Sequence, residues 1–249
     1  MKIVVLTSLP RLPLLPRNFL PYYLQRQGIP IAAVIARRVS LREMARAHVS
    51  SGGLLRRIPE LFKRAATSSA ADMAAEATPR TKPDRIPIHY VDDHNSPEAV
   101  ALLKDLAPDL VVLGGTGIIK PAVLNVPRIG TLGCHYALLP ELKGFNVTEW
   151  AILEGRPVGV TIFWVDAGVD TGDILMDRRV PILPLDTIAT LRRRSAEIGK
   201  QLFAESIRLV LAGTAPRHPQ PAGAGRQFFR MHPRLLRIVE RKLATLAAR

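Results

Sequence analysis

The sequence has a single cysteine, Cys134, in 249 residues. One thiol cannot close an internal disulfide, and no group of His and Cys residues has the spacing of a zinc site. Neither disulfide stapling nor a thiolate metal centre enters the reading. Long apolar runs are also missing. The opening MKIVVLTSLPRLPLLP carries one early lysine, but proline and arginine break it well before a signal-peptide core or a membrane span is complete. The expectation is a soluble, cytoplasmic protein with no membrane segment. There are no internal repeats, and the stretch GGTGIIKP lacks the full G-x-G-x-x-G pattern of a dinucleotide site.

Acidic residues are in deficit, with 21 Asp and Glu against 35 Lys and Arg and a formal net charge of +14. The distribution matters more than the sum. From Arg192 to Arg249 there are 13 Lys and Arg against three Asp and Glu, whereas acidic residues outnumber basic ones between Asp109 and Val180. The basic excess is therefore peripheral. A solvated surface that aids solubility accounts for it at least as well as a binding face does. A phosphate-bearing substrate or an RNA stays open as an alternative partner.

Hydrophobic residues make up 47% of the chain and mean hydropathy is +0.12, enough to bury a core. The length suits one α/β domain with a tail. KIVVLT and IPIAAVIARR are apolar β-branched runs, and residues 17 to 27 between them have helical spacing. A third run, DLVVLGG, follows SPEAVALLKDLAP, where Ser96 suits an N-cap, Pro97 the first helical position and Pro108 the stop. Strands that are continuously apolar and alternate with helices indicate a mostly parallel sheet covered on both faces. Residues 40 to 85, rich in Arg and Ala, read as a helical insertion. Strands are expected at 158 to 165 and 174 to 183, joined by DAGVDTGD, and a helix from about Thr187 to Leu211. The organisation expected is a domain over 1–212 and a linker with a basic helical tail over 213–249.

The most informative stretch is GTLGCHYALLPELKG, residues 130 to 144. If 130 to 135 is a strand, Cys134 and His135 point to opposite faces and cannot form a couple in one pocket. Cys134 then reads as a small core residue, while Gly133 shares the face of His135. An imidazole that works needs an acid to orient or tune it, and VDAGVDTGD offers Asp166, Asp170 and Asp173. The two segments meet at the carboxyl edge of the sheet if their strands run parallel, which is where open α/β sheets bind ligands. His48, His89, His94, His218 and His232 lie in insertion, linker or tail contexts and read as surface or structural residues. Trp150 and Trp164 read as core.

With these two motifs in order, the stretch from Gly130 to Leu175 resembles the catalytic core of the folate-dependent formyltransferases. That superfamily includes methionyl-tRNA formyltransferase, glycinamide ribonucleotide transformylase and the sugar N-formyltransferases. The resemblance covers roughly residues 1 to 210, and it implies a Rossmann-like α/β fold. It implies that His135 is the catalytic imidazole, that Asp170 is its acidic partner, and that the formyl donor is 10-formyltetrahydrofolate. In that chemistry an amine attacks the formyl carbon; protonated His135 stabilises the oxyanion and Asp170 takes the amine proton. Thr116, Gly117, Ile118, Leu139 and the backbone of Val165, Asp166, Ala167 and Gly168 would line the pterin pocket.

The sequence departs from the pattern at one position: the family's catalytic asparagine falls on Gly133. Loss of one oxyanion donor typically costs about a hundred- to a thousandfold in rate. Asn146 and Thr148 are the candidates to compensate, and the glycine is expected to leave room for a water. The acceptor implied is a small-molecule amine, such as an amino-sugar nucleotide or an amino-acid-like metabolite, because only a basic segment of about forty residues follows Leu211 and the N-terminal segment lacks a glycine-rich phosphate loop. The alternatives are a tRNA acceptor, a formyl-tetrahydrofolate hydrolase, or a non-catalytic folate-binding or basic RNA-binding protein. A homodimer through the tail completes the set of expectations.

Overall fold

The computed structural model describes residues 1–10, 19–39 and 86–248. The helical insertion expected over 40–85 therefore lies outside the described residues, as does His48. The elements in chain order are β1 (Ile3–Pro10), α1 (Leu20–Arg26), β2 (Ala33–Val39), β3 (Ile88–Val91), α2 (Pro97–Leu106), β4 (Leu110–Gly114), α3 (Pro121–Leu124) and β5 (Gly130–His135). They continue with β6 (Leu142–Gly144), α4 (Val147–Glu154), β7 (Gly159–Trp164), β8 (Ile174–Arg179), α5 (Ile188–Leu211), β9 (Arg226–Phe228) and α6 (Pro233–Ala247).

Seven strands form one sheet in the order β3-β2-β1-β4-β5-β7-β8. The first five of these pair in parallel, and β7 and β8 continue the sheet antiparallel. Central strands are largely apolar because both faces are covered. Ile3, Val5, Val34, Val112 and Leu132 pack with Leu24 of α1 and Leu191, Leu202 and Ile207 of α5. Val4, Leu6, Ile35 and Val111 pack on the other face with Ala99 and Leu103 of α2 and Val123 of α3. This is the mostly parallel, doubly covered α/β sheet expected from the sequence. Among the described residues no helix is long and apolar enough to cross a membrane.

Local signals explain the helix ends. Ser96 accepts from the main-chain N–H of Ala99 at 3.1 Å and Pro97 opens the helix. Ala107 takes a left-handed conformation, φ +43°, ahead of Pro108 and so stops it. Thr187 and Thr190 form a reciprocal capping pair at the start of α5.

Beyond α5 the chain returns to the body of the molecule. β9 pairs in parallel with β6, Leu142 opposite Arg226 and Gly144 opposite Phe228. Gly144 has φ +93°, and a Cβ there would lie 2.2 Å from the Phe228 carbonyl oxygen, so only glycine permits this approach. α6 buries Val239, Leu243 and Ala247 while presenting Arg234, Arg237 and Arg241 outward. Phe228, Met231, Val239 and Leu243 belong to the main core. Burial of each such side chain contributes roughly 1.5–3 kcal/mol, so their joint loss is comparable with a typical net stability of about 5–15 kcal/mol. A chain ended at Gly213 is accordingly expected to lose cooperative thermal unfolding. A truncated protein that melts at the temperature of the full chain would contradict the packing.

Candidate active site

β5 carries alternate side chains to opposite faces of the sheet. Cys134 faces α5, where a Cβ added at Gly199 would lie 2.9 Å from its Sγ. Burial pushes its thiol up to about 12, so it is an inert core residue. His135 faces the other way, and its Nδ1 lies 3.4 Å from Asp170 Oδ2. The two residues that the sequence singled out meet, while the adjacent Cys and His do not.

The route by which they meet differs from the expectation. β7 runs antiparallel to β5, with Leu132 opposite Trp164 and His135 opposite Thr161. The end of β7 therefore lies at the edge of the sheet remote from His135. The loop 165–173 is closed at its base, where Trp164 N–H donates to the Asp173 carbonyl at 2.8 Å and Val165 N–H to the Thr131 carbonyl at 2.8 Å. From that base it folds back across Gly133 to deliver Asp170 to the end of β5. A Cβ at Gly172 would lie 1.7 Å from the Trp164 carbonyl oxygen, which shows how tightly the base is closed. Asp166 holds the outer arch, its Oδ1 accepting from Gly168 N–H at 3.0 Å and from the Thr171 hydroxyl at 2.7 Å.

The short strand β6 completes the pair. In an extended segment the C=O of one residue and the N–H two residues on point the same way. His135 Nε2 lies 2.7 Å from the Leu142 carbonyl, and Gly144 N–H donates to Asp170 Oδ2 at 2.8 Å. The His–Asp pair thus occupies one edge of β6 and β9 occupies the other. Nε2 must carry its hydrogen to donate to Leu142, so the Nδ1 contact with Asp170 is attractive only when a further proton lies between them. Burial pushes the imidazole below its ordinary value of 6.5, Asp170 and the Leu142 carbonyl oppose this, and the Lys143 charge adds to the fall. Burial dominates because the ring is almost wholly removed from water.

Two consequences are measurable by NMR of the His135 ring. Its titration midpoint is expected below 6.5, and Asp170→Asn is expected to lower it further by removing the opposing charge. A midpoint at or above 6.5, or no response to Asp170→Asn, would contradict the arrangement. The unfolded chain binds this proton first, so the group's contribution to stability is present above pH 6.5 and is lost as the pH falls toward the folded value.

At Gly133 the structure corrects the sequence reading. The glycine lies opposite Phe163, and a Cβ there would meet Val165 Cγ2 at 2.8 Å and the Phe163 ring at 2.9 and 3.0 Å. The space that a larger residue's side chain would enter is filled by two apolar side chains, not left for a water. Asn146 and Thr148 have other work. Asn146 Oδ1 accepts from Met231 N–H at 3.1 Å, and the buried Thr148 hydroxyl faces the Tyr136 carbonyl at 3.4 Å.

The remaining candidates are placed as follows. Thr116, Gly117 and Ile118 follow β4 at the same sheet edge as His135, and Asn95 clamps their loop by donating to the Ile118 carbonyl at 2.9 Å and accepting from Lys120 N–H at 2.7 Å. Ile118 is 72% exposed, unusual for an isoleucine. Leu139 is buried, its N–H donating to Thr161 Oγ1 at 3.1 Å. Val165 is half-buried, while Asp166, Ala167 and Gly168 are exposed on the arch. Among the described residues no group of three His, Cys, Asp or Glu side chains could hold a metal ion. His94 is buried with Nε2 3.3 Å from the Ile35 carbonyl, and His232 caps α6. Trp164 is core; Trp150 is half-buried and donates to the Phe229 carbonyl.

Sequence reasoning missed Leu142 and Gly144, whose main chains hold the pair; Phe163, which fills the space above Gly133; and Lys143. The glycine of LKG was the one signal available, since a positive φ at a close approach requires it.

Comparison with known proteins agrees with this geometry. The family described as "Formyl transferase" matches residues 63–207. Methionyl-tRNA formyltransferase of Methylacidiphilum infernorum (isolate V4) is 41% identical over 128 residues, which are 51% of this chain and 40% of that protein. The chain spans about half the length, or less, of the curated relatives it matches. Among solved structures, phosphoribosylglycinamide formyltransferase of Anaplasma phagocytophilum superposes with a TM-score of 0.61 at 20% identity, covering 93% of this chain and 99% of that one. The formyltransferase PseJ of Anoxybacillus kamchatkensis, solved with UDP-4,6-dideoxy-4-formamido-L-AltNAc and tetrahydrofolate, gives 0.51 at 21% identity, covering 92% and 85%. At these identities the likeness is one of fold.

Proposed function

Given that the chain belongs to the formyl transferase family, we propose that it transfers a formyl group from 10-formyltetrahydrofolate to the amine of a small-molecule acceptor. The observation that carries this reading is the contact of His135 Nδ1 with Asp170 Oδ2 at 3.4 Å, fixed on both sides by the edge of β6. When bound, 10-formyltetrahydrofolate supplies the formyl carbon. Its pterin would be held by Thr116, Gly117, Ile118, Leu139 and the main chain of Val165 to Gly168.

The chain's own contribution is proton management and positioning. The incoming amine sheds a proton as its nitrogen bonds to the formyl carbon; Asp170 takes it, directly or through one water, and returns it to the tetrahydrofolate nitrogen as the bond between that nitrogen and the formyl carbon breaks. His135 Nδ1 keeps the proton that the ring shares with Asp170, and the Nε2–H of the protonated ring is the donor to the charge developing on the formyl oxygen. Because Nε2 is bonded to the Leu142 carbonyl, this role requires the ring to exchange that contact for the substrate. Phe163 and Val165 exclude water from the space over Gly133 and so favour an amine over water as nucleophile. That argues against the hydrolase reading.

A tRNA acceptor is the second reading, favoured by the 41% identity to a methionyl-tRNA formyltransferase. The test is a panel of amino-sugar nucleotides, amino acids and methionyl-tRNA with 10-formyltetrahydrofolate, following the release of tetrahydrofolate. Turnover with a small amine is the expected outcome. Turnover with methionyl-tRNA alone would replace the acceptor, and release without any amine would restore the hydrolase.

A further inference from the structure

The segment between α5 and α6 has no counterpart among the catalytic motifs, yet it touches the candidate active site from two sides. β9 occupies the outer edge of β6, whose inner edge holds His135 and Asp170. Upstream of β9, His218 forms a two-way main-chain bridge with Ile174, its N–H donating to the Ile174 carbonyl at 3.0 Å and its carbonyl accepting from Ile174 N–H at 2.9 Å. Ile174 directly follows the Asp170 loop. Between these anchors lies Gln220, whose Nε2 donates to the Asp170 carbonyl at 3.1 Å and to the Gly172 carbonyl at 2.7 Å.

These two bonds fall where the loop most needs support. Asp170 adopts φ +54°, a left-handed conformation uncommon for non-glycine residues, which aspartate enters more readily than most but at a cost that outside hydrogen bonds offset. Asp166 ties the outer arch to itself, but its bonds end at Thr171 Oγ1 and do not reach the Asp170 main chain. The orientation of the amide is also determined. Turned over, it would set its oxygen against two carbonyl oxygens, and as placed its buried Oε1 has no hydrogen-bond partner. One donor group therefore serves the two carbonyls that flank Thr171.

We propose that Gln220 is a positioning residue: its amide holds the Asp170 main chain in the left-handed conformation that sets the carboxylate against His135. The catalytic meaning of this assignment rests on the function proposed above, whereas the geometric claim does not. A displacement of about 1 Å at a reacting group can cost on the order of a hundredfold in rate, so a residue that never touches substrate can still govern turnover.

The test uses the full chain with Gln220→Met, which keeps the volume and removes the donor, beside Gln220→Ala. His218→Ala serves as control, because the bonds of His218 are made by its main chain. The primary readout is the NMR titration of the His135 ring, which needs no substrate. The charged and polar groups around that ring are Asp170 from the loop, Lys143 and the Leu142 carbonyl from β6; Cys134 and Tyr136 face α5. When Asp170 recedes, its support of the protonated ring weakens, so the midpoint is expected to fall in both variants and to stay in place in the control. Turnover is expected to drop at least tenfold in kcat, more than any change in KM for the amine.

A folded Gln220→Met whose His135 midpoint equals that of the wild type overturns the assignment, as does a lower melting temperature with an unchanged midpoint. Unfolding of both variants would make Gln220 a residue of the fold and overturn it equally. Wild-type protein without formyl transfer would remove the proposed function, and the titration would still decide the role of Gln220.

Discussion

Asp170→Asn is expected to lower kcat/KM for formyl transfer by about two to four orders of magnitude, the range over which a positioned proton acceptor contributes. The asparagine keeps the size and an oxygen that can accept from Gly144 N–H, so β6 and the loop should stay in place. What it removes is the charge that shares a proton with His135 and the base that receives the amine proton. His135→Ala is expected to cost a similar amount. Because the two side chains handle one proton, the double variant should be little worse than either single one. Steady-state kinetics on the three proteins, with melting temperatures alongside, checks this. Two independent, multiplying losses would show that the residues do not act as a unit.

The second large effect concerns Gly133. If the family's asparagine were simply missing, Gly133→Asn would restore an oxyanion donor and raise the rate. The structure predicts the opposite for the single change. The new Cβ would fall within 3.0 Å of Val165 and Phe163, and overpacking of this kind costs roughly 1–3 kcal/mol. It would also push on the loop that carries Asp170. Gly133→Asn alone should therefore lower both the melting temperature and the rate. With Phe163→Ala and Val165→Ala added, both contacts are gone and the amide has room. That triple variant loses apolar burial and should melt lower than wild type, yet it should turn over faster than Gly133→Asn, by up to about a hundredfold if a full donor is restored. A single Gly133→Asn variant that is stable and faster than wild type would show that the space over Gly133 is open.

His135 and Asp170 were legible because each lies in a motif that binds it to a recognisable local structure, a strand end and a Gly- and Asp-rich loop. The parallel sheet was legible from the continuously apolar strands, and the isolation of Cys134 from His135 followed from strand alternation alone. The direction of β7 was not legible. An apolar strand reads the same in either direction, and the connection through α4 gave no sign that β7 would enter antiparallel to β5. Nor does strand alternation identify a cross-strand neighbour, so Phe163 over Gly133 could not be foreseen. Leu142 and Gly144 act through main-chain atoms, which every residue has. Gln220 lies 50 residues beyond Asp170 in a proline-containing segment that reads as a linker. Its role exists only because β9 returns to β6.

The tail thereby changes the view of the basic excess. The arginines of α6 face outward, but the strand and the linker before them are part of what holds the site. A role for the basic helix in recruiting a phosphate-bearing acceptor is compatible with this, since the buried and charged faces of α6 are separate.

The central claim is that the site at the end of β5 handles a folate-borne formyl group. Calorimetric titration of the 249-residue protein with a stable 10-formyltetrahydrofolate analogue tests it most directly. Saturable binding at one site per chain, with affinity in the micromolar range or better, is the predicted result. Repeating it with Asp170→Asn should leave binding largely intact, because the pterin is held by main chain and apolar groups. An absence of heat and of saturation across accessible concentrations, with the protein folded, would contradict the account.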